Sequence, residues 1–325
     1  MIRYIVDRVL QGIVVVAVMS FVIYGLIGLM PGDPIDLMIS ANPQLTSADA
    51  ERLRRIYGLD QPLLDRYAAW AVAALQGDFG YSRGFSRPVL EVLTPRLANT
   101  AALMIAAFLV ALAIGLPAGI LAATRPRGAL DTVINLFSFI TISVPTFWLA
   151  LMMIILFAVI LGWLPASGLP AGPAGFLEHL RHLILPVMTL AIVEAGAYAR
   201  YMRASMIEAL SHDYVRTARA KGASRARTVL GHALRNAMIP VVTIMALSFG
   251  GLFSGALVTE TMFAYPGMGK LIFDAVMGND FNLALVALLF ATVLTLLGNL
   301  LADLAYVALD PRISLGGGPE KGRAA

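Results

Sequence analysis

Residues Asp213–Pro240 read DYVRTARAKGASRARTVLGHALRNAMIP and lie between two long apolar runs. The stretch is basic, rich in small residues and has Gly222 near its middle. Val215, Ala218 and Gly222 recur at helical spacing, with Ala220 and Ala223 alongside, so a short helix is expected before the glycine. Glycine suits the end of a helix because positive φ costs it nothing. Ser224 is placed to cap a second helix through Val229, Leu230, Ala233 and Leu234. Pro240 marks the entry to the next apolar run. The reading is helix, glycine turn, helix, with small residues and Arg on the exposed side. Small residues permit close backbone approach and Arg is favoured at interfaces, so the surface suits docking of another protein. A loop that only fixed orientation would need none of this pattern.

The surroundings are oily. The chain has 325 residues, 59% hydrophobic and 14% charged, against roughly 25% charged in soluble domains. Mean hydropathy is +0.79. A bilayer span needs about 20 apolar residues. Six runs qualify: Val9–Met30, Ala98–Ala123, Val133–Leu161, a weaker one at Leu183–Ala199, Met238–Thr259 and Leu283–Leu309. The first run is too long for a cleaved leader, and Met30-Pro31-Gly32-Asp33 is not a small-residue cleavage site. Arg3 and Arg8, Arg125 and Arg127, the cluster from Arg200 to Arg235, and Arg312, Lys321 and Arg323 all fall on one side of a six-span arrangement. The positive-inside rule then places both termini in the cytoplasm.

Three segments follow: 1–97, a first span plus an external helical segment; 98–310, a five-span core containing the basic loop 200–237; and 311–325, a cytoplasmic tail. Within the external segment, TSADAERLRRIYGL predicts a helix over Ala48–Tyr57 ended by Gly58, and QPLLDRYAAWAVAAL predicts an amphipathic one. Gly77, Gly80 and Gly84 then open a loop. Taken alone, this segment reads as an ordinary cap that buries one helix face. A short helix is expected over Gly267–Met277, after the turn in YPGMGK.

Catalytic sets are missing from the sequence. AYPGMGKL has Ala264 in place of the first P-loop glycine and Leu271 after Lys270, so no P-loop is present. GLFSG puts its serine fourth, not third. There is no cysteine. His179 and His182 share a helix face without a third ligand and read as a polar interfacial pair rather than a metal site. Glu194 and Asp303 are charged residues within spans, and such residues either face a water-filled path or bond between helices. An ion-driven carrier would depend on them.

The opening stretch also carries a resemblance. DYVRTARAKG with HALRNA resembles the cytoplasmic coupling signature of ABC-importer permeases, in the form of the dipeptide/oligopeptide/nickel family. The general signature is Glu-Ala-Ala, three residues, Gly, nine residues, Ile-x-Leu-Pro. Gly222 takes its glycine, Ala218 its second alanine and Leu234 its leucine. Arg216, Thr217, His232 and Arg235 depart from it. MPGDP (Met30–Pro34), YGLDQPLLDRY (Tyr57–Tyr67), GDFGYS (Gly77–Ser82), YPGMGKL (Tyr265–Leu271) and LDPRI (Leu309–Ile313) resemble further segments of the family's B-type subunit, in order. RLANT has Ala98 where the family often has proline.

The resemblance implies an all-α polytopic membrane protein with six transmembrane helices, of the type I ABC-importer permease kind. It implies a bacterial inner-membrane location and a solute, most commonly di- or oligopeptides, with nickel or other small solutes as alternatives. It implies a paralogous permease, two ABC ATPase subunits and an external solute-binding protein docked on the external segment, with no nucleic acid. This chain would bind no cofactor; ATP and Mg would sit on the ATPases. The expected ATPase-coupling residues are Thr217, Ala218, Arg219, Ala220, Lys221, Gly222, Ala223, Ser224 and Arg225. Glu194 and Asp303 stay as path or interhelix polar residues.

Overall fold

The computed structural model describes residues 2–29, 51–52, 61–170, 172 and 174–309. The expected helix over Ala48–Tyr57 lies outside them, apart from Glu51 and Arg52, which are helical. Among the described residues the chain runs α1 (Ile2–Gly28), α2 (Leu63–Leu75), a hairpin of β1 (Tyr81–Ser82) and β2 (Arg87–Pro88), and α3 (Val89–Thr124). It continues through α4 (Ala129–Ser143), α5 (Thr146–Met153), α6 (Phe176–Ser211), α7 (Asp213–Ala220), α8 (Leu234–Met262), α9 (Met268–Met277) and α10 (Phe281–Leu309).

Among the described residues, five helical stretches are long and apolar enough to cross a bilayer, and α4 with α5 and its continuation to Ile160 supplies a sixth if taken as one bent span. Many large apolar side chains on these helices point outward, among them Leu10, Ile13, Val14, Val133, Leu136 and Phe139. Water would not tolerate so continuous an apolar exterior; lipid does.

Two expectations are corrected. Val133–Leu161 is not one continuous helix: α4 and α5 meet at 106°. Val144 sits at φ −85°, ψ 125° and Pro145 at φ −61°. Proline cannot donate a backbone bond, and its ring pushes the preceding residue out of the helical region. Past Met153 the helix widens into a π-helical stretch, Ile154–Ile160. The fourth span, expected as a short run at Leu183–Ala199, is the middle of a 36-residue helix. At 1.5 Å per residue α6 is about 54 Å long and overreaches the bilayer core. Arg200 and Arg203, read as loop residues, are therefore helical. Pro240 likewise lies inside α8 and not at its entry.

Helices α3 and α6 pack most intimately. A Cβ at Gly115 would come within 2.7 Å of the Ala195 carbonyl, and one at Gly119 within 2.7 Å of Met202 Cβ. The small residues at i and i+4 let two backbones meet without larger side chains between them, as membrane helices commonly do. Gly196 of α6 lies against Thr141 and Ser138 of α4 in the same way. Gly119→Leu is expected to destabilise the bundle by about 2 kcal/mol or more through overpacking. A lowered melting temperature in detergent would show it, whereas Gly25→Leu, where a Cβ meets nothing within 4 Å, should leave the protein unchanged.

Candidate functional site

The helix–glycine–helix element is present. Helix α7 stops at Ala220, and the chain reverses through Gly222 at φ +83°. The reversal satisfies the last carbonyls of the helix: Lys221 N donates to Thr217 O (3.0 Å), Gly222 N to Arg219 O (2.9 Å) and Ala223 N to Ala218 O (3.1 Å). Ser224 begins the next helix, its Oγ accepting from Arg227 N at 3.3 Å and its carbonyl from Thr228 N at 2.9 Å. The second arm then differs from expectation. Arg227–Ala233 is π-helical, each backbone hydrogen bond spanning one residue more than in an α-helix. Val229 and Ala233 stay buried while Leu230 turns outward, 58% exposed.

Two anchors hold this element to the bundle. Val215, Val229 and Ala233 are buried in one cluster with Met202 and Met206 of α6 and Ala123 of α3. Arg225 reaches back and donates from Nη2 to the Thr124 carbonyl at 2.6 Å, at the C-terminal end of α3. A cation there complements the partial negative charge of the unpaired carbonyls. The outer face is left to solvent: Thr217, Arg219, Ala220, Lys221, Gly222, Ser224 and Arg225 are exposed, and Ala218 and Ala223 are half-buried. A cleft of about 410 Å³ runs between the arms, lined by Tyr214, Thr217, Ala218, Gly222, Arg227 and His232. Of the nine residues expected to act together, Thr217, Ala218, Lys221, Gly222 and Ala223 line this cleft. The Arg216–Asp213 pair at 3.4 Å is fully exposed and holds little.

Glu194 is elsewhere, half-buried in the middle of α6. It lies one turn before the buried Tyr198, whose hydroxyl is within hydrogen-bonding reach of the Glu194 carboxylate and of Ser248. Asp303 lies on α10, and its side chain is outside the described residues. His179 and His182 each place Nδ1 on a backbone carbonyl one turn back, Gly175 O at 3.2 Å and Glu178 O at 2.9 Å.

Three buried acids escaped the sequence reading. Asp131, at the start of α4, is gripped by the Arg203 guanidinium through Nε and, at 2.8 Å, Nη2. It also accepts from Arg127 N (2.7 Å) and Asn135 Nδ2 (2.7 Å), beside the basic element. Glu260 is fully buried near the far end of α8. Its carboxylate accepts from Thr100 Oγ1 (2.5 Å), Gly269 N (2.7 Å) and Lys270 N (3.1 Å). The last two are unpaired amides of the first turn of α9, so Glu260 acts as a cap donated by another helix. Burial pushes the nearby Tyr265 hydroxyl up to about 12, with the Glu260 charge adding to the effect. Asp280 precedes α10 and accepts from Ser82 Oγ (2.5 Å) and Gly84 N (2.9 Å), while Arg83 donates to Gly278 O (2.7 Å). The GDFGYS loop is thereby pinned to the α9–α10 turn.

Fold and surface together define a polytopic helical membrane protein with a basic, exposed helix–turn–helix at one end and a polar-locked segment at the other. Comparison with known proteins gives this class its family. The model of the binding-protein-dependent transport system inner membrane component matches residues 115–315, and that of the N-terminal part of such components matches residues 1–104. The chain belongs to this family. It is 37% identical over 318 residues to the oligopeptide transport system permease protein AppB of Bacillus subtilis, covering 96% of this chain and 99% of that one. It is 38% identical over 313 residues to the glutathione transport system permease protein GsiC of Escherichia coli K12, again covering 96% and 99%. Among solved structures it is similar to the inward-facing MetNI methionine ABC transporter, with a TM-score of 0.55 at 20% identity, over 68% of this chain and 97% of that one. An amino acid ABC transporter gives 0.51 at 14%, over 67% and 94%. The chain is a multi-pass inner-membrane permease subunit of an ABC importer, a transport subunit that works with separate ATPase and binding-protein partners.

Proposed function

We propose that this subunit is one half of a heterodimeric importer for di- or oligopeptides, paired with a paralogous permease above two ATPase subunits that carry ATP and Mg. The observation that carries the reading is the Gly222 element. It is exposed on its outer face, locked on its inner face, and tied through Arg225 to the end of α3. A push on the turn is delivered directly to the helix packed along α6. Thr217 to Arg225 form the ATPase-docking surface. Both termini lie in the cytoplasm, as the Lys and Arg distribution requires. The external segment, with α2, the hairpin and α9, receives the solute-binding protein. Full-length likeness to an oligopeptide permease supports the substrate class. Nucleotide on the partners can drive alternating access only by favouring one state over the other, and the Gly222 element is where that preference enters this chain.

Mild-detergent purification from native membranes, with mass spectrometry of the bound proteins, tests the assembly. A second permease and two P-loop ATPases are expected. Reconstitution of the recovered set with its binding protein should give ATP-dependent uptake of short peptides. Recovery of the chain alone, moving solute without ATP, would overturn the reading.

A further inference from the structure

Asp131 of α4 and Arg203 of α6 stand 72 residues apart in the chain and form a closed ion pair. Asp131 is buried and Arg203 half-buried. The guanidinium donates through Nε to one carboxylate oxygen and through Nη2, at 2.8 Å, to the other. Arg127 N and Asn135 Nδ2, each at 2.7 Å, take up the remaining lone pairs. A two-point fork of this kind fixes angle as well as distance. A buried ion pair adds little net stability over packed apolar side chains, because desolvation of the two charges offsets their attraction. What it supplies here is one defined placement of α4 on α6.

The placement matters because of what lies on either side. Arg203 directly follows Met202, which is buried in one cluster with Val215 and Val229 of the Gly222 element. One turn of α6 thus carries the coupling element and grips α4. A second route reaches the same point. Arg225 holds the Thr124 carbonyl, and only Arg125–Gly128 separate Thr124 from α4. That link is itself tied, with Gly128 N on Arg125 O at 3.1 Å and Arg127 N on Asp131. Further along, Ser138 and Thr141 of α4 lie against Gly196 of α6. Just beyond them the chain turns at Val144 and Pro145, where α5 departs at 106°. The 15 residues of α4, about 22 Å, are therefore fastened to α6 near both ends, with the bend next to the second fastening.

We infer that Asp131 and Arg203 are a positioning pair for transport: they clamp α4 to α6, so that the two helices move as one body when the coupling element is displaced and the Val144–Pro145 bend absorbs the movement. The inference rests on the importer reading, in which the ATPases displace that element. The pair acts through helix position and is assigned no contact with solute or ATPase.

The chain has no cysteine, so introduced thiols are its only labelling sites. Spin labels at Leu130→Cys and Glu208→Cys, both exposed, report the spacing of α4 and α6 beside the clamp. Labels at Leu130→Cys and Leu151→Cys, also exposed, span the bend. The test uses the assembled importer in nanodiscs with cysteine-free partner chains, without nucleotide and then with ATP and vanadate. The first spacing is expected to stay the same and the second to change. Asp131→Asn keeps the shape and an acceptor for Arg127 N but not the charge. It should let the first spacing shift with nucleotide and lower uptake of tri-alanine per ATP hydrolysed about tenfold, in the range of one coupling contact. Arg203→Lys, which keeps the charge without the fork, should fall between. ATPase recovery should be normal in both variants. A first spacing that changes in the otherwise unaltered chain, a bend that does not move, or normal uptake per ATP in Asp131→Asn would overturn the proposal. So would a failure of both variants to assemble, or a loss of ATP hydrolysis equal to the loss of uptake, since the pair would then serve stability alone. An unaltered importer that takes up no tri-alanine with ATP would instead count against the peptide reading, and the distance test would still decide the clamp.

Discussion

Gly222→Arg protein is expected to insert and fold normally yet transport no solute. At φ +83° the backbone is in the left-handed region, where a side chain costs about 1–2 kcal/mol. Space is not the obstacle, because a Cβ at Gly222 meets nothing within 4 Å inside this chain. The damage is therefore confined to the turn and to whatever packs on it. If Gly222 behaves as an interface hot spot, the loss in docking is about 2 kcal/mol or more, roughly a thirtyfold weaker hold on the ATPases. The measurement is ATPase recovery with the purified permease, beside uptake in proteoliposomes. Gly222→Asn, which tolerates the left-handed region better, should keep much of both. Full transport by a normally inserted Gly222→Arg protein would remove the docking role from this element.

The second large effect is at the opposite end. Glu260→Ala is expected to cost about 3–5 kcal/mol, because it strands two backbone amides and a threonine hydroxyl in a site closed to water. Gly267→Val should do comparable harm, since a Cβ there would overlap the Glu260 carboxylate. Both variants should melt earlier in detergent, and α9 should lose protection against amide exchange. Glu260→Gln keeps the size and one acceptor, so it should fall between. An unchanged melting temperature in Glu260→Ala would mean that the α9 amides find other partners.

Much of this was legible because it is local chemistry. Gly222 and Ser224 announce a turn and a cap from neighbouring residues alone, and α2 and α9 follow from short-range patterns. The buried acids were not legible in the same way. Thr100 and Glu260 are 160 residues apart, and Asp131 and Arg203 are 72 apart. Nothing in single-chain periodicity pairs them, so neither Glu260 nor Asp131 stands out in the sequence. Proline was ambiguous for a different reason. Pro117, Pro186 and Pro240 all lie inside unbroken helices, whereas Pro145 ends one. Neighbouring helices in a bilayer can re-satisfy the freed carbonyl, so composition cannot say which proline will break its helix. In the π-helical arm at Arg227–Ala233, Val229 and Ala233 are buried and Leu230 is exposed, a placement that an assumed 3.6-residue period hides. The hairpin has two residues per strand, too few for any alternation to register.

The 36-residue α6 acts as a lever. Its closest contact with α4 is at Gly196, which leaves about 30 Å of helix on the Phe176 side and about 22 Å on the Ser211 side. A tilt of about 10° about that fulcrum swings the Phe176 end by about 5 Å and the Ser211 end by about 4 Å the other way. The basic element hangs on the shorter arm through Met202 and Met206. A rigid tilt of this kind would return a stroke of a few ångströms at Gly222, slightly enlarged and reversed in direction, at the Phe176 end of α6.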